Sequence, residues 1–245
     1  MLWRVKQVGR VFPLVVCSSY AAYQWSRPRT GYGLDGAVGR SWFGPKVALC
    51  DAVEIYPGIK YEEGDDGGSK LVGAGLRRLL MVPMYAIGLY MSENTMKQRF
   101  SDWKGKSADD VYDDADFWNA VCQPEVDKTL VMVVAREAPG KHIQQAFDRA
   151  MIKRLRQLEK EGIRGGKQAL KTLNLAIRTH TFSIGEELRF EFTGAEIRVD
   201  LAGRSTLVLK CEALSIALAE MFLGKRASSV EAKHEFSRGF ARILG

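Results

Sequence analysis

Four cysteines (Cys17, Cys50, Cys122, Cys211) lie far apart with no C-x-x-C pair, and three histidines (His142, His180, His234) show no H-x-x-x-H spacing. Tetrahedral zinc needs clustered thiolates and imidazoles, so no metal site is expected. With 46% hydrophobic residues the chain can bury a core without a disulfide framework, and the cysteines read as reduced packing residues. Gly73-Ala74-Gly75 starts like a dinucleotide loop, but the third glycine would fall at Arg78 and strand-like residues follow. Gly105-Lys106-Ser107 ends like a phosphate loop whose first glycine would fall at Phe100. Neither stretch is expected to cradle a phosphate.

A guanidinium offers different chemistry. Residues 71–80 and 84–91 read as two strands with Pro83 at the break, where a missing N–H does least harm. Alternation places Tyr85, Ile87, Leu89 and Met91 on one face of their strand, and Met84, Ala86, Gly88 and Tyr90 on the other. On the partner strand Arg77, Leu79 and Met81 share a face, and Arg78 points away. A guanidinium taken from water needs an anion, and a carboxylate fits its fork. That carboxylate could belong to a ligand or to an internal Asp or Glu.

The elements that must position these residues follow from periodicity. Ser107-Ala108-Asp109-Asp110 is a capping-box-like start to a helix carrying Val111, Ala115 and Trp118. Residues 129–135 (TLVMVVA) read as a buried strand. Ile143, Phe147, Ala150, Met151, Leu155 and Leu158 have helical spacing, and 169–177 forms a second helical piece. Three strands then carry Leu188, Phe190 and Phe192, then Ile197, Val199 and Leu201, then 206–210. A helix over 213–222 ends at Gly224, and Ser228 to Glu231 reads as a second capping box. Hairpins with helices segregated between them make the fold class α+β.

Ahead of this domain (69–245) lie two different stretches. Residues 1–34 hold Arg4, Lys6, Arg10, Arg27 and Arg29 and no acid, the composition of a mitochondrial transit peptide. The apolar run 11–25 is shorter than the ~20 residues that span a bilayer, and a short membrane anchor is the alternative. Residues 35–68 are rich in Gly and Pro, end in an acidic run, and read as linker. The net charge of +7 admits any anionic partner. Between Arg149 and Arg178 nine basic residues face only Glu159 and Glu161. A solvated helix face explains the run, with anionic lipid (cardiolipin) or partner contact second. No aromatics interleave, so no nucleic acid is expected.

The stretch 71–111, LVGAGLRRLLMVPMYAIGLYMSENTMKQRFSDWKGKSADDV, resembles the entry hairpin of the chalcone isomerase family: G-x-G-x-R, then an F/Y-x-x-G-x-Y strand, then Trp103 to Ser107 before a helix. Ala213-Leu214-Ser215 to Leu223-Gly224-Lys225 is similar to the family's penultimate helix. The resemblance implies a chalcone isomerase-like open-faced β-sandwich, a large antiparallel sheet covered on one side by helices, with a cleft between the layers.

It also assigns positions. The catalysts' cleft arginine matches Arg77, their reactive-strand threonine falls at Tyr85, and the tyrosine and asparagine of their middle helix fall near Ile143 and Ala150. Tyr, Ile and Ala cannot organise water and phenolate beside the reacting ketone, so no catalytic residues and no isomerase activity are expected. Arg77 and Tyr85 together resemble the family's fatty-acid-binding branch, with Ile87 and Leu89 expected to hold the tail. The ligand implied is a fatty acid or haem, whose propionates are also carboxylates. The location implied is mitochondrial, at the inner membrane. The alternative reading is a structural accessory subunit of a respiratory or ATP synthase assembly there.

Overall fold

The computed structural model describes residues 52–64 and 68–245. The basic arm, with its 11–25 run, lies outside the described residues, as do Cys17 and Cys50. Among the described residues no helix is long and apolar enough to cross a membrane, and no cluster of side chains could hold a metal. Cys122 is buried, Cys211 is half-buried, and both are free.

Six strands form one antiparallel sheet. They are β3 (Lys70–Leu79), β4 (Val82–Met91), β5 (Lys128–Val134), β8 (Glu187–Thr193), β9 (Glu196–Leu201) and β10 (Ser205–Lys210), in the spatial order β10-β9-β8-β5-β4-β3. Their period-2 apolar residues point to one face: Ile87, Leu89, Leu130, Met132, Phe190 and Val199 are all buried there. Seven helices complete the described fold, and the longer ones cover this face. These are α1 (Glu93–Arg99), α2 (Ala108–Asp113), α3 (Ala115–Cys122), α4 (Gly140–Lys160), α5 (Gly166–Arg178), α6 (Glu212–Leu223) and α7 (Val230–Leu244). Helix α6 is apolar nearly all round and buried along almost its whole length. A two-stranded pairing of β6 (Ala138–Pro139) with β7 (Thr181–Phe182) ties the start of α4 to the end of α5.

The helix expected from Ser107 onward is two helices. Ser107 and Asp110 form the capping box of α2. Asp114 then stops that helix and caps α3 by accepting from the Phe117 N–H at 2.9 Å. The indole of Trp103 and the ammonium of Lys106 both donate to Asp114 at 2.8 Å. Thus the Trp103–Ser107 stretch is tied into the starts of two helices. These donors, Lys106 foremost, pull the Asp114 carboxyl down to about 2.

The region 35–68, expected to be linker, contains two paired strands, β1 (Ala52–Tyr56) and β2 (Ile59–Glu62). Ile59 and Tyr61 are core residues, packed with Leu71, Leu76, Ala86 and Val131 on the sheet face opposite the helices. The sheet is therefore covered on its second face too, at the β3–β5 end.

Helix α7 lies unusually close to β3. A Cβ on Gly75 would sit 2.5 Å from the Ala232 Cα, and one on Gly239 would sit 1.6 Å from the Val72 carbonyl oxygen. The G-x-G of β3 is thus a contact surface for a helix, which explains why it resembled a dinucleotide loop only in part.

Candidate ligand cavity

A cavity of about 920 Å³ opens between the β3–β4 hairpin end and the first half of α4, within the 300–1,000 Å³ usual for small-ligand clefts. The sheet contributes Arg77, Leu79, Met84, Tyr85, Met132 and Val134. Helix α4 contributes Ile143, Phe147 and Ala150 from its apolar stripe, and Arg149, Lys153 and Arg154 from its basic side. The end of α6 and the turn after it contribute Glu220, Met221 and 224–228.

Arg77 and Tyr85 are direct cross-strand partners and both line this cavity. Among the described residues no carboxylate lies within ion-pair reach of Arg77; its neighbour Arg78 takes Glu231 of α7 instead. The Tyr85 hydroxyl donates to Ser228 Oγ at 2.9 Å, and its ring meets Phe222 edge-on. Burial pushes the Tyr85 pKa above the ordinary phenol range, although Ser228 and the Arg77 charge oppose it. Tyr85 is therefore a neutral phenol whose one proton is given to Ser228, and Arg77 is a cation with its fork available. The Arg77 fork, beside the Tyr85–Ser228 pair, has the shape and charge to take one carboxylate.

Ile87 and Leu89, expected to hold a ligand tail, do not line the cavity. They share the face of Tyr85, as alternation requires, but lie further along β4, 1% and 0% exposed. There the helices close on the sheet and leave no space. Met84 was expected on the opposite face and instead lines the cavity. The β3–β4 register skips it, since Arg77 pairs with Tyr85 and Arg78 with Pro83, and this bulge turns its side chain.

Ser228 was missed because it was read as a helix cap. Ser229 caps α7 instead, accepting from the Ala232 N–H at 3.2 Å, while Glu231 reaches Leu76 N–H and Arg78. That one-residue shift frees Ser228 for Tyr85. Arg154 holds the same turn in place by donating to the carbonyls of Ala150 (2.7 Å), Glu220 (3.1 Å) and Arg226 (3.1 Å). Its partner Glu220 is half-buried, and that burial raises its carboxyl pKa against the pull of Arg154. Three members of the basic run, Arg149, Lys153 and Arg154, thus line the cavity, Arg149 and Lys153 from its solvent-exposed edge and Arg154 half-buried.

An antiparallel sheet under a helical layer, with a cavity entered beside an arginine-bearing hairpin, defines the class. The chain belongs to the chalcone-flavanone isomerase family, whose profile matches residues 65–243. A chalcone-flavanone isomerase of Canna generalis is 22% identical over 216 residues, covering 82% of this chain and 92% of that one. A chalcone isomerase-like protein 2 of Humulus lupulus is 28% identical over 155 residues, covering 58% and 71%. The crystal structure of a fatty-acid-binding protein of Arabidopsis thaliana superposes with a TM-score of 0.66 at 16% identity, covering 79% of this chain and 99% of that one. At that identity the likeness speaks for the fold.

Proposed function

We propose that this chain is a non-catalytic binder of an apolar carboxylic acid, a long-chain fatty acid being the best fit, and that it works in mitochondria. The observation that carries this is Arg77, facing an apolar-walled cavity with no internal acid to neutralise it among the described residues. The neutral Tyr85–Ser228 pair lies beside it, and Arg149, Lys153, Lys225 and Arg226 make the rim mainly cationic. Its one carboxylate among the described residues, Glu220, is paired with Arg154. The four positions where the family's catalysts keep polar machinery all line the cavity here, as Arg77, Tyr85, Ile143 and Ala150. Ile143 and Ala150 can neither hold a water nor donate to a developing phenolate. The arm's Arg-rich, acid-free composition supports the mitochondrial part.

Titration of the purified chain with palmitate, followed by displacement of a fluorescent fatty acid, tests the reading. Arg77→Leu should weaken palmitate about 10–100-fold, the worth of a charge-assisted hydrogen bond. The matching long-chain alcohol should bind both proteins alike, and the melting temperature should stay within a few degrees. Equal palmitate affinity in the variant would refute the reading, as would chalcone turnover near ~10 per second. Haem would find the His142 imidazole on the cavity wall. A Soret shift on adding haem, lost in Arg77→Leu, would transfer the site to that ligand.

A further inference from the structure

The reversal between β3 and β4 is only two residues long, Leu80-Met81, with φ of 48° and 69°. Both lie in the left-handed region, where bulky side chains are rare. Two-residue hairpin turns of this kind strongly prefer Asn-Gly or Asp-Gly. The Leu80 and Met81 side chains are also 91% and 86% exposed, with Leu79 and Val82 exposed on either side. A solvated turn would favour small polar residues here on both counts. The tip is therefore built for something other than water.

Its position narrows what that is. Leu79 lines the cavity as well as flanking the tip, so the tip stands at the cavity mouth. Arg149, Lys153, Lys225 and Arg226 line the same cavity, and Glu220 is the carboxylate that faces them. An apolar point thus projects from a cationic rim. Four side chains at a hairpin end are far less surface than a stable protein interface buries, about 800 Å² per partner. A bilayer demands no matching shape, and it attracts basic residues when it is anionic.

We propose that the β3–β4 tip docks this protein on an anionic phospholipid bilayer, with Leu80 and Met81 among the acyl chains and the cavity's basic rim on the headgroups. Each signal alone is weak, and the two together give reversible binding. Docking of this kind sets the cavity mouth against the phase in which an apolar acid is dissolved. Only this purpose rests on the fatty-acid reading; the docking does not.

The decisive variant is Leu80→Asn with Met81→Gly, in the full chain. It supplies the sequence the turn geometry prefers, so it should melt at the same or a higher temperature. Its association with phosphatidylcholine–phosphatidylglycerol vesicles, free of fatty acid, should fall at least tenfold. Both chains should bind pure phosphatidylcholine weakly. A second chain carrying Met81→Trp reports insertion directly, even if residues 1–34 also hold the vesicle. Its fluorescence increment over the wild-type chain should shift to the blue and be quenched by brominated acyl chains. Equal vesicle binding by the Asn-Gly variant together with an unquenched indole would overturn the proposal. A concentration-dependent dimer lost in that variant, without vesicle binding, would assign the tip to a second copy and overturn it equally. Because no fatty acid is present, neither result depends on what the cavity holds.

Discussion

Lys128 sits 3% exposed at the start of β5, its ammonium donating to the carbonyls of Val126 (2.7 Å) and Gln123 (3.0 Å) beneath the Phe192 ring. Burial pulls its pKa down to about 8, the neighbouring Cys122, Asp127 and Glu125 opposing. Below pH 8 native and unfolded chains both hold the proton, and the full penalty of a buried charge stands. Above it the native state releases the proton first, so this group's contribution to stability rises with pH until the unfolded lysine titrates. Cys122, pushed up to about 12 by burial, acts in the opposite sense above its ordinary range near 9. The clean window is therefore about pH 8–9. Denaturant unfolding should show wild type gaining on Lys128→Met there, by at most about 1.4 kcal/mol per pH unit. A flat difference would mean that Lys128 titrates normally. Arg77 and Tyr85 were easier to find than this lysine, because the resemblance to the family singled them out and strand alternation set the faces they share. Met84 and Ser228 did not follow. A single-residue bulge and a one-position shift in a helix cap are set by tertiary contacts, and neither leaves a mark in local periodicity.

Elements with strong periods read correctly: the strand pair at 71–91, TLVMVVA as β5, the three closing strands, and the long α4. What period cannot show is how closely two elements approach. Gly73 and Gly75 looked like half of a nucleotide motif, yet they and Gly239 let α7 lie directly on β3. Their placement also fixes the site, since α7 begins at the serine pair that reaches Tyr85 and the Leu76 carbonyl. Gly239→Ala would put a methyl group into the Val72 carbonyl, with backbone on both sides and no flexible end to yield. Overpacking of this kind costs about 1–3 kcal/mol and often more when backbone must move. Thermal denaturation should show a drop of several degrees, and palmitate binding should weaken as Ser228 shifts. An unchanged midpoint would mean that the helix moves away freely, and that the G-x-G is there for some other reason.

At the scale of the molecule, the unexpected feature is the β1–β2 hairpin, read as linker because two strands of five and four residues cannot show a persuasive period. It lies before the span matched by the family profile. Nevertheless it is bound to the domain at several points. The Tyr61 hydroxyl donates to the Val131 carbonyl at 3.2 Å, the Tyr90 hydroxyl to the Glu62 carbonyl at 3.0 Å, and the Leu71 N–H to the Glu63 carbonyl at 2.7 Å. Gly88 leaves room for the Tyr61 ring, whose nearest carbons would be 2.7 Å from a Cβ there. Burying Ile59 and Tyr61 contributes about 1.5–3 kcal/mol each. Their removal also uncovers Leu71, Leu76, Ala86, Val131 and Val133, a contiguous apolar face of the kind that drives association. A chain starting at Ser69, the boundary drawn from the sequence, should therefore lose at least about 3 kcal/mol, bind a hydrophobic dye and aggregate on concentration. A chain starting at Asp51 keeps the hairpin and should match the full chain in denaturation midpoint and remain dispersed. The comparison isolates the hairpin, because the two truncations differ only in residues 51–68. Equal stability and solubility of both would show the hairpin to be an ornament on a sheet stable with that face open. Failure of both would place the boundary earlier still.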